Sequence, residues 1–176
     1  MNKINLLSLS VTAALAAAVG FSTPARAASP TKTASVSVTA SVAAMCQITG
    51  TTVAFGAYDP TVATALTASG NIVVACTKNT LYTVGLDTGL NSANAPSGST
   101  RAMVDAGAYL GYDLYSNSGD TALWTNVSGG WVSGTGAGGI GAAANQSLPV
   151  YGAIPVGQFV TPGTTFTDTV TATITY

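Results

Sequence analysis

The chain has 176 residues, of which 6% are charged, with six acidic residues, all Asp, no His and a net charge of −1. So weak an acidic balance offers no basic stripe for nucleic acid, and without His there is no Ser-His-Asp or Cys-His catalysis and little scope for a transition-metal site. Ordinary soluble domains are about 25% charged, so this surface suits a protein buried against partners or held outside the cell.

Residues 1–27 read as a signal peptide. Lys3 gives a positive start, Leu6 to Phe21 is an apolar run, and Ala25-Arg26-Ala27 is a small-x-small cleavage site. Ser8, Ser10 and Thr12 interrupt the run, which is short for a bilayer span. Cleavage after Ala27 is therefore expected rather than an uncleaved anchor, and the protein is expected to be exported. The remainder is about one domain long. It keeps Lys32, Lys78 and Arg101 as its cations.

Thr33 to Val42 alternates strictly. Ala34, Val36, Val38, Ala40 and Val42 share one face, with Ser35, Ser37, Thr39 and Ser41 on the other. This is the pattern of a half-buried strand. Further strands are expected at Gln47–Phe55, Asn71–Thr77, Leu81–Leu86, Ala108–Tyr115, Thr121–Thr125 and Leu148–Ile154, separated by Gly, Pro, Asn and Asp. Val62 to Ala68 could form a helical turn, weakened by its β-branched residues and by Gly70. Gly89–Thr100 and Ser128–Gln146 read as loops. The last strand is expected from Thr164 to Tyr176, where Val170, Ala172, Ile174 and Tyr176 alternate with Thr. Many short strands between turn residues predict an all-β sandwich or barrel.

Cys46 and Cys76 form an even count in an exported chain, which reads as a disulfide. Paired-carboxylate catalysis would need two of Asp105, Asp113 and Asp120, and these are ordinary turn and strand-edge Asp by position. Gly134, Gly136 and Gly139 match G-x-G-x-x-G, but a Gly-rich loop surrounds them and Pro149 ends the segment that follows, so no strand–helix context supports a dinucleotide site. No cofactor is expected. Tyr112 and Trp124 fall in strand-like runs and are expected to be core or half-core, whereas Trp131 in a Gly-rich loop is the one aromatic expected to be exposed.

The two ends can be explained together. A sandwich lacking one strand would expose a groove beside its C-terminal strand. An extended segment of another copy could fill that groove by β-strand addition. Burying Val36, Val38, Ala40 and Val42 would contribute on the order of 5–9 kcal/mol. Donor and groove lie on different patches, so the contact need not close and would propagate as a fibre. The alternative is that residues 33–42 pair within their own domain.

Phe55-Gly-Ala-Tyr-Asp-Pro60, Cys76-Thr-Lys, Gly85-Leu-Asp-Thr-Gly89, Leu110-Gly-Tyr-Asp-Leu-Tyr115 with Trp124, Pro149-Val-Tyr-Gly-Ala-Ile-Pro155 and Phe166 to Tyr176 together resemble the spore coat protein U domain. That family includes pilin subunits of archaic chaperone–usher pili. The resemblance implies an incomplete immunoglobulin-like sandwich spanning residues 43–176, with residues 28–42 as a donor-strand extension. It implies a periplasmic chaperone, an outer-membrane usher and other pilin subunits as partners, and a surface fibre serving attachment and biofilm formation. By position, Val36, Val38, Ala40 and Val42 would be donor residues. Phe166, Val170, Ala172, Ile174 and Tyr176 would border the acceptor groove, and Cys46–Cys76 would be the family's disulfide. Two features depart from the pattern. Ala40 is small for the middle of a donor. Asp168 shares parity with Phe166 and Val170, so it points to a polar end of the groove or marks a bulge. The rival readings are a small outer-membrane β-barrel and a secreted sugar-binding or tip adhesin module; an enzyme is more distant still.

Overall fold

A computed structural model describes residues 28–138, 145–163 and 165–176. The proposed signal peptide lies outside these. Contacts divide the chain at residue 40. Residues 28–40 carry no secondary structure and are exposed. The strand expected over 33–42 is thus not formed.

From residue 41 onward the structure is all-β among the described residues, apart from a short 3-10 turn at Ser92–Asn94. The strands are β1 (Cys46–Gly50), β2 (Leu66–Cys76), β3 (Leu81–Leu86), β4 (Arg101–Asp105), β5 (Ala108–Tyr115), β6 (Val132–Thr135), β7 (Asn145–Ile154) and β8 (Ala172–Thr175). They form a five-stranded sheet, ordered β1-β2-β7-β5-β4, and a three-stranded sheet, ordered β6-β3-β8. Every pairing is antiparallel. Between them lies one core of Ile72, Val74, Val84, Leu86, Leu114 and Ile154 with their neighbours. Two separate sheets with open edges are a sandwich, not the closed barrel that was the rival expectation.

The core follows from period-2 alternation where it is clean. In β2, Ile72, Val74 and Cys76 are buried, and in β3 so are Tyr82, Val84 and Leu86. β1 and β2 align in a register that faces Cys46 with Cys76, and the two are disulfide-bonded.

Several expectations are corrected. β2 begins at Leu66, so Ala68 is strand and the helical turn does not form. β1 stops at Gly50 rather than continuing to Phe55. Thr121–Thr125 is not a strand. Leu123 makes a single bridge to Tyr115, and Trp124 inserts into the core, donating its indole N–H to the Val84 carbonyl at 2.9 Å. β6 runs through the segment expected to be loop, because Gly134 lies against the Tyr82 ring, where a Cβ would collide. β4 falls where the sequence pattern predicts no element. Pro149 does not end a segment but sits within β7, opposite Asn71. It is tolerated there because Asn71 directs its backbone carbonyl to Thr51 of the other neighbour, leaving Asn71–Pro149 a pair that needs no proline N–H.

β4 carries the fully buried Arg101. Its guanidinium donates to the carbonyl oxygens of Asp87 (2.8 Å) and Trp124 (2.7 Å), so it fastens β4 to the end of β3 and to the Trp124 loop across the core. Burial holds its pKa below the usual value, offset only in part by Tyr112 and by the carboxylates of Asp113, Asp87 and Asp168. It remains charged at neutral pH.

Closing a loop between residues 30 apart stabilises a fold by roughly 3–4 kcal/mol in the loop-entropy account. The double variant Cys46→Ser, Cys76→Ser should lose about that much in urea denaturation, with the same antiparallel-sheet circular dichroism before the transition.

Candidate functional site

Beyond Gly50 the first strand leaves its ladder. Thr51 still donates its N–H to Asn71 at 2.9 Å, and after it no strand pairing is recorded until Leu66. Val53 and Phe55 nevertheless point inward, against the core. They can approach because β2 and β7 present Gly70 and Gly152 beneath them, where an added Cβ would press on Val53 and Phe55. Tyr58 anchors the far end, donating its hydroxyl to the Pro155 carbonyl at 2.8 Å and accepting the Gln158 N–H at 3.0 Å. Gln158 in turn uses its side-chain amide to pair with both backbone groups of Gly111, as a neighbouring strand would. This segment is one wall.

Residues 165–176 are the opposite wall. Thr167 exchanges backbone hydrogen bonds with Val104 of β4, and the Thr171 carbonyl accepts from the Asp87 N–H at 3.0 Å. β8 then continues alongside β3. These bonds use the odd-numbered residues. In a strand successive N–H and C=O groups point to opposite edges, so those of Phe166, Asp168, Val170, Ala172 and Ile174 point the other way. No backbone–backbone hydrogen bond reaches Phe166, Asp168 or Val170 among the described residues. The side chains of Phe166, Val170, Ala172 and Ile174 pack against the core while the intervening Thr are exposed. Tyr176, expected to share that face, lies past β8 and is 54% exposed.

Between the walls runs an open groove. One cleft, of about 380 Å³, has Ile72, Leu86, Leu114 and Val150 in its floor and Val53 and Val170 at its sides. A second, of about 660 Å³, continues it past Phe55, Met103, Leu110 and Val160. Both contain Val53, Phe55, Met103 and Phe166. Phe55 meets the Tyr112 ring edge-on, centroids 6.0 Å apart. An apolar trough flanked by a backbone edge without strand pairing is the geometry of a sheet with one strand missing.

The groove has one polar place. Asp168 points inward and does not bulge away. It accepts the Tyr112 hydroxyl at 2.8 Å on one oxygen, and the Leu90 N–H (3.0 Å) and Asn91 amide (3.1 Å) on the other. Burial, then the Asp168 carboxylate, push the Tyr112 phenol far above its usual range, so it remains a donor. Gly89 adopts φ +77° beneath this carboxylate, and a Cβ there would collide with it. The signal for this cluster was present in Gly85-Leu-Asp-Thr-Gly89, but its partner is distant in sequence. Nearby, Asp87 accepts the N–H groups of Thr171 (2.9 Å) and Gly89 (3.0 Å). Burial raises its pKa, but those hydrogen bonds and Arg101 outweigh it and hold the carboxyl below its ordinary value.

Other expected sites find structural roles. Asp113 accepts the Thr100 N–H at 2.8 Å, and Asp120 occupies a left-handed turn position, φ 51°. Trp131 is 43% exposed. Among the described residues no cluster of metal-ligating side chains occurs. Val36, Val38 and Val42 are 84–88% exposed.

A family model described as Spore Coat Protein U domain matches residues 32–173. "Protein U" of Myxococcus xanthus is 38% identical over 189 aligned residues, covering 100% of both chains. Among solved structures, the chain aligns with one from the CsuC-CsuE chaperone–tip adhesion subunit pre-assembly complex of the archaic chaperone-usher Csu pili of Acinetobacter baumannii. The TM-score is 0.51 and the identity 23%, a likeness of fold. The alignment covers 77% of this chain and 40% of that one.

Asp168→Ala should cost about 1–3 kcal/mol by leaving the Tyr112 hydroxyl and the Leu90 N–H without acceptors, read as a lowered urea midpoint. The Asp87 contribution has the opposite dependence to a titrating base. Its folded pKa is depressed, so its stabilisation is complete above the ordinary value of 3.8 and is lost as pH falls through the lower folded value. Stability should therefore decline as pH falls below the ordinary carboxylate value, and decline less in Asp87→Asn.

Proposed function

Because the chain belongs to the Spore Coat Protein U domain family, we propose that it is a structural pilin subunit of a chaperone–usher pilus. Each copy lends its N-terminal segment, residues 28–42, to the groove of the next. Val36, Val38, Ala40 and Val42 are the donor side chains. Phe166, Val170, Ala172 and Ile174 form the receiving wall, with Tyr176 at its end. The observation that carries this reading is the groove itself, which lacks a strand along the whole of its apolar floor. A segment of matching alternation stands exposed in the same chain.

The chemistry is that of completing a sheet. The even-numbered residues of the wall offer hydrogen-bonding groups along one edge, and an added strand supplies their complements. Its alternate side chains cover apolar surface that an isolated subunit leaves wet. An isolated copy is therefore prone to uncontrolled edge pairing. A periplasmic chaperone that fills the groove in the meantime, and an outer-membrane usher that releases it, answer that hazard. The solved structure of similar fold is a pre-assembly complex of a chaperone with a tip adhesion subunit. Assembly outside the cell, with attachment and biofilm formation as its use, follows from this reading. So does a structural rather than enzymatic role, with no cofactor.

Val38→Asp places a carboxylate on the apolar floor and should abolish polymers while leaving the chaperone complex intact. The readout is the ladder of detergent-resistant, heat-dissociable multimers in extracts of cells expressing the whole assembly system. A ladder that persists in Val38→Asp would sink the donor assignment.

A further inference from the structure

We propose that Ala40 of one copy lies directly opposite Asp168 of the next, in an antiparallel register that sets Val42 beside Phe166, Val38 beside Val170 and Val36 beside Ala172. This rests on the donor-strand reading above and adds which residue meets which.

The first reason is extent. On its C-terminal wall the cleft between Val53 and Val170 is lined from Phe166 to Val170 and by Ala172. Val36 to Val42 spans the same number of residues. The antiparallel register with Ala40 at Asp168 lays one span on the other end to end. A parallel strand with the same central pair would leave Ala172 uncovered.

The second reason is the chemistry of the floor. Four inward positions, Phe166, Asp168, Val170 and Ala172, face four donor positions. One receiving position is a carboxylate and one donor is small. The Asp168 oxygens are committed to Tyr112, Leu90 and Asn91, and the residue is only partly buried. A valine opposite would strip its remaining water and return no donor. An alanine methyl leaves space for that water.

The third reason is what a shift would do. Sliding the donor by two residues keeps every face correct. It then sets Val42 or Val38 opposite Asp168 and moves Ala40 beside Val170 or Phe166. That change desolvates the carboxylate and opens a void at an apolar site at the same time. Both penalties act against the same slip.

Outward neighbours report the register. Thr39 should face Thr169, and Ser41 should face Thr167. Double-cysteine variants pair Thr39→Cys or Ser41→Cys with a cysteine replacing Thr165, Thr167, Thr169, Thr171, Thr173 or Thr175. All six threonines are exposed. Assembled fibres are oxidised, boiled in detergent without reductant and resolved by size. Covalent multimers should be several-fold more abundant for Thr39→Cys/Thr169→Cys and Ser41→Cys/Thr167→Cys than for any other pair. If Ser41→Cys couples best to position 169, or Thr39→Cys to position 167 or 171, the register is wrong while strand donation stands. Maximal coupling at positions 165, 173 or 175 has the same meaning. If fibres form and no pair yields covalent multimers, strand donation by residues 36–42 fails together with the register.

Discussion

The backbone edge between Phe166 and Ile174 governs this molecule. A peptide group that loses water without gaining a partner costs as much as a lost hydrogen bond, and here a row without strand partners borders an apolar floor. Between this wall and the segment after Gly50 the floor of Ile72, Leu86, Leu114 and Val150 is left open. The fold therefore contains the demand for a strand that the domain does not itself insert.

Holding the walls apart needs fastenings that do not depend on that strand. On one side, Val53 and Phe55 are seated over Gly70 and Gly152, and Tyr58 is tied to the Pro155 loop. On the other, Thr167 is bonded to β4, Thr171 to Asp87, and Asp168 to Tyr112. Arg101 links the two sheets behind them through carbonyl oxygens rather than through an ion pair. Carbonyls suit this task. They accept from the guanidinium with fixed geometry, and they need not be deprotonated to do so. The groove is thus a preorganised shape, and a strand entering it would have less ordering left to supply.

The sequence was legible where one face is apolar and the other polar. β3 and β5 emerged with their observed boundaries, and the Cys46–Cys76 pairing followed from the exported, even-cysteine context. It was illegible where the core is built from polar or minimal side chains. Arg101-Ala-Met-Val-Asp105 starts with a charge that belongs to the core, so alternation gave no signal. β6 runs through Ser, Gly and Thr, whose value is that Gly134 admits the Tyr82 ring, and a neighbour's ring cannot be read locally. Trp124 was rightly assigned to the core but for the wrong reason, since it enters from a turn rather than a strand. Asp168 showed its odd parity in sequence. Its reason, a phenol more than fifty residues away, became visible only in three dimensions.

That one carboxylate also bears on how strand addition can be specific. Period-2 geometry rejects a slip of one residue outright, because it turns every apolar side chain to solvent. A slip of two preserves the faces, the hydrogen bonds and nearly all the apolar contact, so a uniformly apolar groove would discriminate against it poorly. Discrimination at that step requires an uneven floor and an uneven donor. A single polar position answered by a single small one is the least unevenness that suffices. In the junction proposed above, such a pair would sacrifice one valine's worth of burial and penalise both neighbouring registers, so that a contact made mostly of backbone and methyl groups could hold a single alignment.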